Sequence, residues 1–334
     1  MLWNFIFFIE YLSYIDTTSK LKIMNELNFQ DILLAQNRIK NYIKNTAIIA
    51  NKKIDDVLGA KIFFKMDNRQ ETNSFKARGA FNAVLAFKEK HGFFPQKIVA
   101  QSSGNHAQAV AFVGKKFNIP VIIYMAKITS PIKVDATRKL GSEVILCEKR
   151  SEANRLAEEK QQEGYFFIHP SDNDDVIAGQ GTCVLEAIEK IGEVSAIFAP
   201  CGGGGLLSGC LIAKSGVSPQ AQVFGCEPLN ANDASRSVLE NKIVGFEESP
   251  MTIADGARTL KVAQRCFNYL KQLNGILEIS EEEIIFWQKE LEKEFQEKIE
   301  PTSALSIAGC TQYIKNNSQA KNQKFLVIIS GGNL

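Results

Sequence analysis

The 334-residue sequence has no pair of cysteines at C-x-x-C spacing. Zinc and dithiol redox sites are usually built on that spacing, so neither is expected. Its seven cysteines, Cys147, Cys183, Cys201, Cys210, Cys226, Cys266 and Cys310, are odd in number and mostly set in apolar runs. They read as buried free thiols in a reducing compartment, hence a cytoplasmic protein. Charge of one sign is also missing. The net charge is +2 with lysines and glutamates interspersed, so nothing in the sequence points to a nucleic-acid partner. There is no internal repeat and no low-complexity linker. No membrane-spanning run is found either: the apolar stretch MLWNFIFFIEYLSYI at Met1–Ile15 is too short and holds Glu10. It lacks the basic start and small-residue cleavage site of a signal peptide. Residues 1–23 therefore read as an extension, or as the product of a start codon placed too early, with Met24 opening the domain. Weak membrane or partner contact is the alternative.

What is present is ordinary globular material. Hydrophobic residues make up 45% and charged residues 23%. The length suits two domains or one large one, with a core that needs no staples. Short apolar runs alternate with amphipathic stretches. Strands are expected at Lys61–Lys65, Lys97–Gln101, Val121–Met125, Glu143–Cys147, Tyr165–His169, Ala196–Ala199, Gln222–Cys226, Gly275–Ile279 and Phe325–Ile329. Helices are expected at Phe75–Lys90, Asn105–Phe117, Pro131–Leu140, Glu152–Glu163, Val176–Ile191, Leu206–Ser215, Glu281–Lys298 and Thr302–Lys315. Ser280 and Glu283 form a capping-box signature. This alternation predicts an α/β fold with mostly parallel sheets, whose ligands bind beyond the carboxyl ends of the strands.

Four segments at strand ends carry chemistry. Asn73-Ser74-Phe75-Lys76-Ala77-Arg78-Gly79-Ala80 places a lysine where apolar and small neighbours can desolvate it and favour a neutral amine. Such an amine can bond covalently to an aldehyde cofactor. Taken alone, Lys76 would read as a surface lysine. Gln101-Ser102-Ser103-Gly104-Asn105-His106-Ala107 offers hydroxyls, an amide and free N–H groups at a helix start, which suit a carboxylate or simply cap the helix. His106 by itself reads as a packed histidine. Pro200-Cys201-Gly202-Gly203-Gly204-Gly205-Leu206 lets backbone wrap a phosphate at a helix N-terminus. It has no Gly-Lys-Ser/Thr ending and fails the G-x-G-x-x-G spacing, which disfavours nucleotide loops. Ser330-Gly331-Gly332-Asn333 puts a hydroxyl at the last strand's end.

The four segments S-F-K-A-R-G-A, S-S-G-N-H-A-Q-A, G-G-G-G-L and S-G-G-N, in this order, resemble the fold-type II pyridoxal 5′-phosphate (PLP) enzymes. The branch is that of serine/threonine dehydratases and serine racemases, and the resemblance runs from about Asn28 to Asn333. It implies two open, twisted, mostly parallel sheets flanked by helices, as in the tryptophan synthase β-like fold. It implies a large PLP-binding domain over 24–96 and 168–334 and a small, substrate-closing domain over 97–167. A homodimer is implied as well. Lys76 would carry the cofactor and move the Cα proton. Phe75 would pack near its ring, and Gly202, Gly203, Gly204, Gly205 and Leu206 would bind its phosphate. Asn105 would approach the ring hydroxyl and Ser330 the pyridine nitrogen. Ser102, Ser103, Gly104, Asn105 and His106 would hold the substrate carboxylate.

The activity implied is an ammonia-lyase converting L-threonine or L-serine to 2-oxobutanoate or pyruvate. Serine racemase with side elimination is an alternative, because Ser103 resembles the serine that can reprotonate the opposite face. A 3-hydroxyaspartate dehydratase is another, and needs a further cation that the sequence does not place. A catalytically silent binding protein on this fold is the alternative of another class. Glu227, Ala231 and Asp233 resemble the racemase-type metal loop, whose hard oxygen donors suit Mg²⁺ or Ca²⁺. Two features depart from the racemases: Ser171 stands where asparagine is frequent, and Asn154 roughly where animal racemases carry arginine.

Overall fold

The computed structural model of the protein describes residues 26–333, so the expectation for residues 1–23 lies outside the described residues. Among the described residues ten strands are formed: β1 (Ile48–Ala50), β2 (Lys61–Met66), β3 (Ile98–Gln101), β4 (Val121–Ala126), β5 (Glu143–Cys147), β6 (Phe166–Phe167), β7 (Ala196–Pro200), β8 (Gln222–Pro228), β9 (Gly275–Ile279) and β10 (Lys324–Ile329). They make two sheets, in the orders β1-β2-β10-β7-β8-β9 and β5-β4-β3-β6. Every pairing is parallel except the edge pair β1–β2.

The six-stranded sheet is buried on both faces, and β10 shows why its sequence is nearly all apolar. Leu326 and Ile328 enter one core, while Phe325, Val327 and Ile329 enter the other. A third core joins Ile98, Ala100 and Ile123 of the four-stranded sheet to Phe81 and Val84 of helix Lys76–His91. Among the described residues no helix is long and apolar enough to cross a membrane.

Two differences from the sequence expectation have local causes. The expected strand at Tyr165–His169 shrinks to Phe166–Phe167. The chain turns away because the His169 Nδ1 accepts from the backbone N–H groups of Ser171 (3.2 Å) and Asp172 (2.6 Å). Helix Phe29–Ile39, not expected, is started by a reciprocal capping box between Asn28 and Asp31. The Ser280–Glu283 box forms as expected, and all seven cysteines are free and buried.

Close helix contact fixes the helix that carries Lys76. A Cβ on Gly179 of helix Asp174–Ile191 would fall 2.7 Å from both the Arg78 carbonyl oxygen and the Gly79 Cα. Beneath this crossing lies a buried ionic network. Arg78 donates to Asp67 (2.6 and 2.9 Å), to Glu186 (2.8 Å to each oxygen) and to Thr182 (3.1 Å). Lys65 donates to Glu186 (2.7 Å) and to the Thr46 carbonyl (3.0 Å). Arg78, Asp67 and Lys65 are all 0% exposed.

Candidate active site

The carboxyl ends of β2, β10, β7 and β3 lead into the four sequence segments, and all four line one cleft of about 770 Å³. Lys76, Ser103, the Ser102–His106 loop, Gly202–Leu206 and Ser330 are therefore neighbours, although they are drawn from most of the length of the chain. The first and last segments are tied directly: Phe75 N–H donates to the Ser330 carbonyl (3.0 Å), and Ser74 bridges to Gly331.

The Lys76 Nζ donates to the Pro170 carbonyl (3.0 Å) and lies 4.9 Å from the centroid of the Phe75 ring. The side chain opens on the cleft, but the surrounding protein desolvates the amine. That burial lowers its pKa to about 8, against the smaller opposing pull of Cys266 and Glu300. A larger share of the amine is neutral near physiological pH than for a solvated lysine.

On the same cleft, Pro200 hands the chain to the glycine run. Gly204 has φ +90°, and helix Gly205–Val217 starts at the next residue with no side-chain cap. A Cβ on Gly203 would lie 2.3 Å from the Ser171 Oγ, so a side chain there would intrude on the turn. Ser171, one of the two departures from the racemases, thus packs against the run. The uncapped helix start leaves backbone N–H groups for an anion.

Ser330 is 0% exposed. Its Oγ lies 3.1 Å from the Ser303 Oγ and 3.4 Å from a Glu300 carboxylate oxygen. Asn105 donates from Nδ2 to both oxygens of Glu300 (2.9 and 3.1 Å) and accepts at Oδ1 from Asn333 (2.8 Å). Glu300 is a residue that sequence reasoning missed. It precedes Pro301 at the start of the last long helix, and only the fold reveals that it joins Asn105 to Ser330. Burial pushes its pKa up to about 7. A raised carboxyl pKa adds stability below its unfolded value of 4.5, and that contribution is lost as pH rises through about 7. The glutamine variant E300Q removes this titration. Its unfolding free energy is expected to change less between pH 5 and pH 8 than the wild type's, by on the order of 3 kcal/mol. Denaturant titrations of the cofactor-free protein at the two pH values check this.

His106 is packed, as expected. Its ring Nε2 lies 2.7 Å from the Ile168 carbonyl oxygen, and burial lowers its pKa to about 3. Burial outweighs the opposing effect of the Ile168 carbonyl, so a neutral imidazole, not a cation, stands at this edge of the cleft. Ser102 accepts from the Gly104 N–H (3.3 Å).

The expected metal residues lie at the end of β8. Glu227 accepts from the N–H groups of Ala234 (3.2 Å) and Ser235 (2.7 Å). Asp233 is 1% exposed and its Oδ2 has no hydrogen-bond partner. Burial raises Glu227 to about 8 and Asp233 to about 7. Among the described residues no group of three or more His, Cys, Asp or Glu side chains is arranged for a metal.

A desolvated lysine on the same cleft as a glycine run at a helix start, with a buried serine at a strand end, suits a phosphate-bearing aldehyde. The family described as pyridoxal-phosphate dependent enzyme matches residues 39–331. The chain belongs to this family. It is 36% identical over 315 residues to the L-threo-3-hydroxyaspartate ammonia-lyase of Saccharomyces cerevisiae, covering 92% of this chain and 93% of the relative. It is 35% identical over 309 residues to the serine racemase of Schizosaccharomyces pombe, covering 92% and 94%. Among solved structures it is similar to the threonine deaminase of T.th., with a TM-score of 0.84 and 35% identity, covering 92% of this chain and 99% of that one. These likenesses place it among the fold-type II PLP enzymes of the serine/threonine dehydratase and racemase branch. The residues present fit that cofactor: Lys76 for the aldehyde, Gly202–Leu206 for the phosphate, and Ser330 as an uncharged partner for a ring nitrogen.

Proposed function

We propose that the chain is a PLP-dependent ammonia-lyase that removes the β-hydroxyl and then the amino group of a small β-hydroxy amino acid, L-threonine and L-serine among them. The observation that carries this reading is Lys76, whose desolvated amine opens on the same cleft as the glycine cradle and the Ser102–His106 loop. PLP, when bound, withdraws electrons from the substrate's Cα. The protein's own residues do the rest. The Lys76 Nζ, neutral once released, takes the Cα proton. Hydroxyls of Ser102 and Ser103, with backbone N–H groups at the start of helix Asn105–Phe117, hold the α-carboxylate. Ser330 offers a ring nitrogen a hydroxyl and not a carboxylate, and Ser303 orients that hydroxyl. Glu300 holds the Asn105 amide where it can reach the ring hydroxyl.

Racemisation is the second reading, favoured by Ser103, a hydroxyl on the cleft that Lys76 enters. The test is a product assay. Protein with PLP and Mg²⁺ is given L-threonine and L-serine, and oxo acid and D-serine are measured. Oxo acid in excess supports the lyase. D-serine exceeding pyruvate replaces it with the racemase, and neither product from any β-hydroxy amino acid rejects both.

The domains over 24–96 with 168–334 and over 97–167, a cytoplasmic location and a homodimer belong to this reading. So does a Mg²⁺ or Ca²⁺ held by Glu227, Asp233 and the Ala231 carbonyl. Two buried carboxylates, one with an unpartnered oxygen, fit a hard cation. Mg²⁺ at 100 times its Kd is expected to stabilise the fold by about 2.7 kcal/mol. A melting scan of wild type and of Asp233→Asn checks this; the variant is expected to lose the Mg²⁺ response.

A further inference from the structure

We propose that Arg150, with Arg258 beside it, forms a binding site for a second carboxylate, so that the preferred substrate class is β-hydroxy amino acids bearing a β-carboxylate. The inference rests on the elimination reading above and specifies its substrate. Its starting point is the charge inside the cleft. Lys133 is already matched, because it forms an ion pair with Asp255. Glu300 is occupied by Asn105. Glu148 pairs outward with Lys127, and Glu247 and Glu248 are exposed at the rim.

The two arginines are different. Arg150 begins helix Arg150–Gln162 on the four-stranded-sheet side, and its Nη1 donates to the Arg258 carbonyl (2.7 Å). Arg258 follows the short turn Asp255–Ala257, whose Gly256 carbonyl lies 2.9 Å from where a Cβ on Gly202 would stand. Both arginines line the cleft, and among the described residues neither has a carboxylate within ion-pair distance. Asp233 acts on Arg150 only at longer range, and its Oδ1 is turned to Thr259 (3.5 Å).

The Arg150 guanidinium is desolvated and also feels the charge of Arg258, which is unfavourable unless an anion offsets both. A guanidinium has five N–H donors in a planar fork that matches a carboxylate, and Arg150 uses one of them on backbone. The Ser102–His106 loop already provides for an α-carboxylate, so the arginines are surplus for serine or threonine. A 3-hydroxyaspartate needs them. Its elimination breaks the Cα–H and Cβ–O bonds, forms a Cα–Cβ double bond and releases water. The freed enamine becomes an imine, takes up one water and loses ammonia. The result is oxaloacetate, with no oxidant or reductant.

The test compares kcat/KM of the holoenzyme on L-threo-3-hydroxyaspartate, L-threonine and L-serine, for wild type, Arg150→Met, Arg150→Lys and Arg258→Met. The wild type is expected to prefer the dicarboxylic substrate by roughly tenfold or more. In Arg150→Met the ratio of dicarboxylic to neutral substrate should fall by roughly 100-fold, with Arg150→Lys between the two. Calorimetry with L-aspartate and L-alanine, which have no hydroxyl to lose, should show the same loss of preference. Arg258→Met carries the test if Arg150→Met does not fold. An unchanged ratio overturns the inference alone, even where the variants hold PLP less well, because the arginines then serve the cofactor phosphate. Threonine preferred by wild type also overturns it alone. No turnover of any of the three by holoenzyme overturns the elimination reading itself.

Discussion

Replacing Lys76 by alanine is expected to give a folded, colourless protein whose turnover is lower by roughly 10⁴-fold or more. The chemical part of this loss has two sources. The covalent hold on the cofactor goes, and so does the base at Cα, which alone contributes about 10²–10⁴-fold. Folding should survive because Lys76 contributes little to it. Among the described residues its Nζ has one hydrogen bond, to the Pro170 carbonyl. Its pKa, lowered by burial to about 8, means that a charged amine is held there at a cost. Alanine also suits the first turn of helix Lys76–His91. The melting temperature should therefore move little while the visible absorption of the bound cofactor disappears. Activity and colour that persist in Lys76→Ala would remove this residue from the mechanism. An activity loss with cooperative unfolding intact separates chemistry from structure.

Much of this site was legible in the sequence because backbone chemistry leaves a strong trace. Four glycines in a row after an apolar strand serve few purposes, and the run at Gly202–Gly205 does form a turn that a Cβ would obstruct. The strands, nearly continuous in β-branched and aromatic residues, announced a sheet buried on both faces, as β10 proves to be. Elements set by a single side chain were less legible. The early end of β6 depends on one imidazole capturing two N–H groups. Glu300 and the Arg150–Arg258 pair have no local pattern at all. They acquire meaning only when the chain brings residues 105, 300 and 330, or 150 and 258, together. A charged residue before a proline, or at the start of a polar helix, looks like surface until its neighbours are known.

The same holds for Arg78, two residues after Lys76, whose replacement by methionine is expected to be strongly destabilising. The wild-type network balances two cations, Lys65 and Arg78, against two carboxylates, Asp67 and Glu186. Arg78 holds both carboxylates at once, and its attraction keeps Asp67 at a pKa of about 2 despite burial. Methionine fills similar space but leaves two buried carboxylates facing one lysine. Removing one partner of a buried ion pair typically costs about 3–5 kcal/mol. The pH dependence should reverse near this group. In the wild type, Asp67 is lowered from 3.8, so its contribution is present above that value and is lost as pH falls towards 2. In Arg78→Met the surplus carboxylate gains by taking a proton, so the deficit against wild type should shrink between pH 7.5 and pH 5. Adding Asp67→Asn to Arg78→Met should recover part of the loss at pH 7.5, since it removes the unmatched charge. Urea denaturation of the three proteins at both pH values measures all of this. Because the Arg78 carbonyl and Gly79 meet Gly179 at the helix crossing, the loss is expected to loosen the helix that aims Lys76. Equal stability of Arg78→Met and wild type at pH 7.5 would mean that apolar packing alone seats that helix.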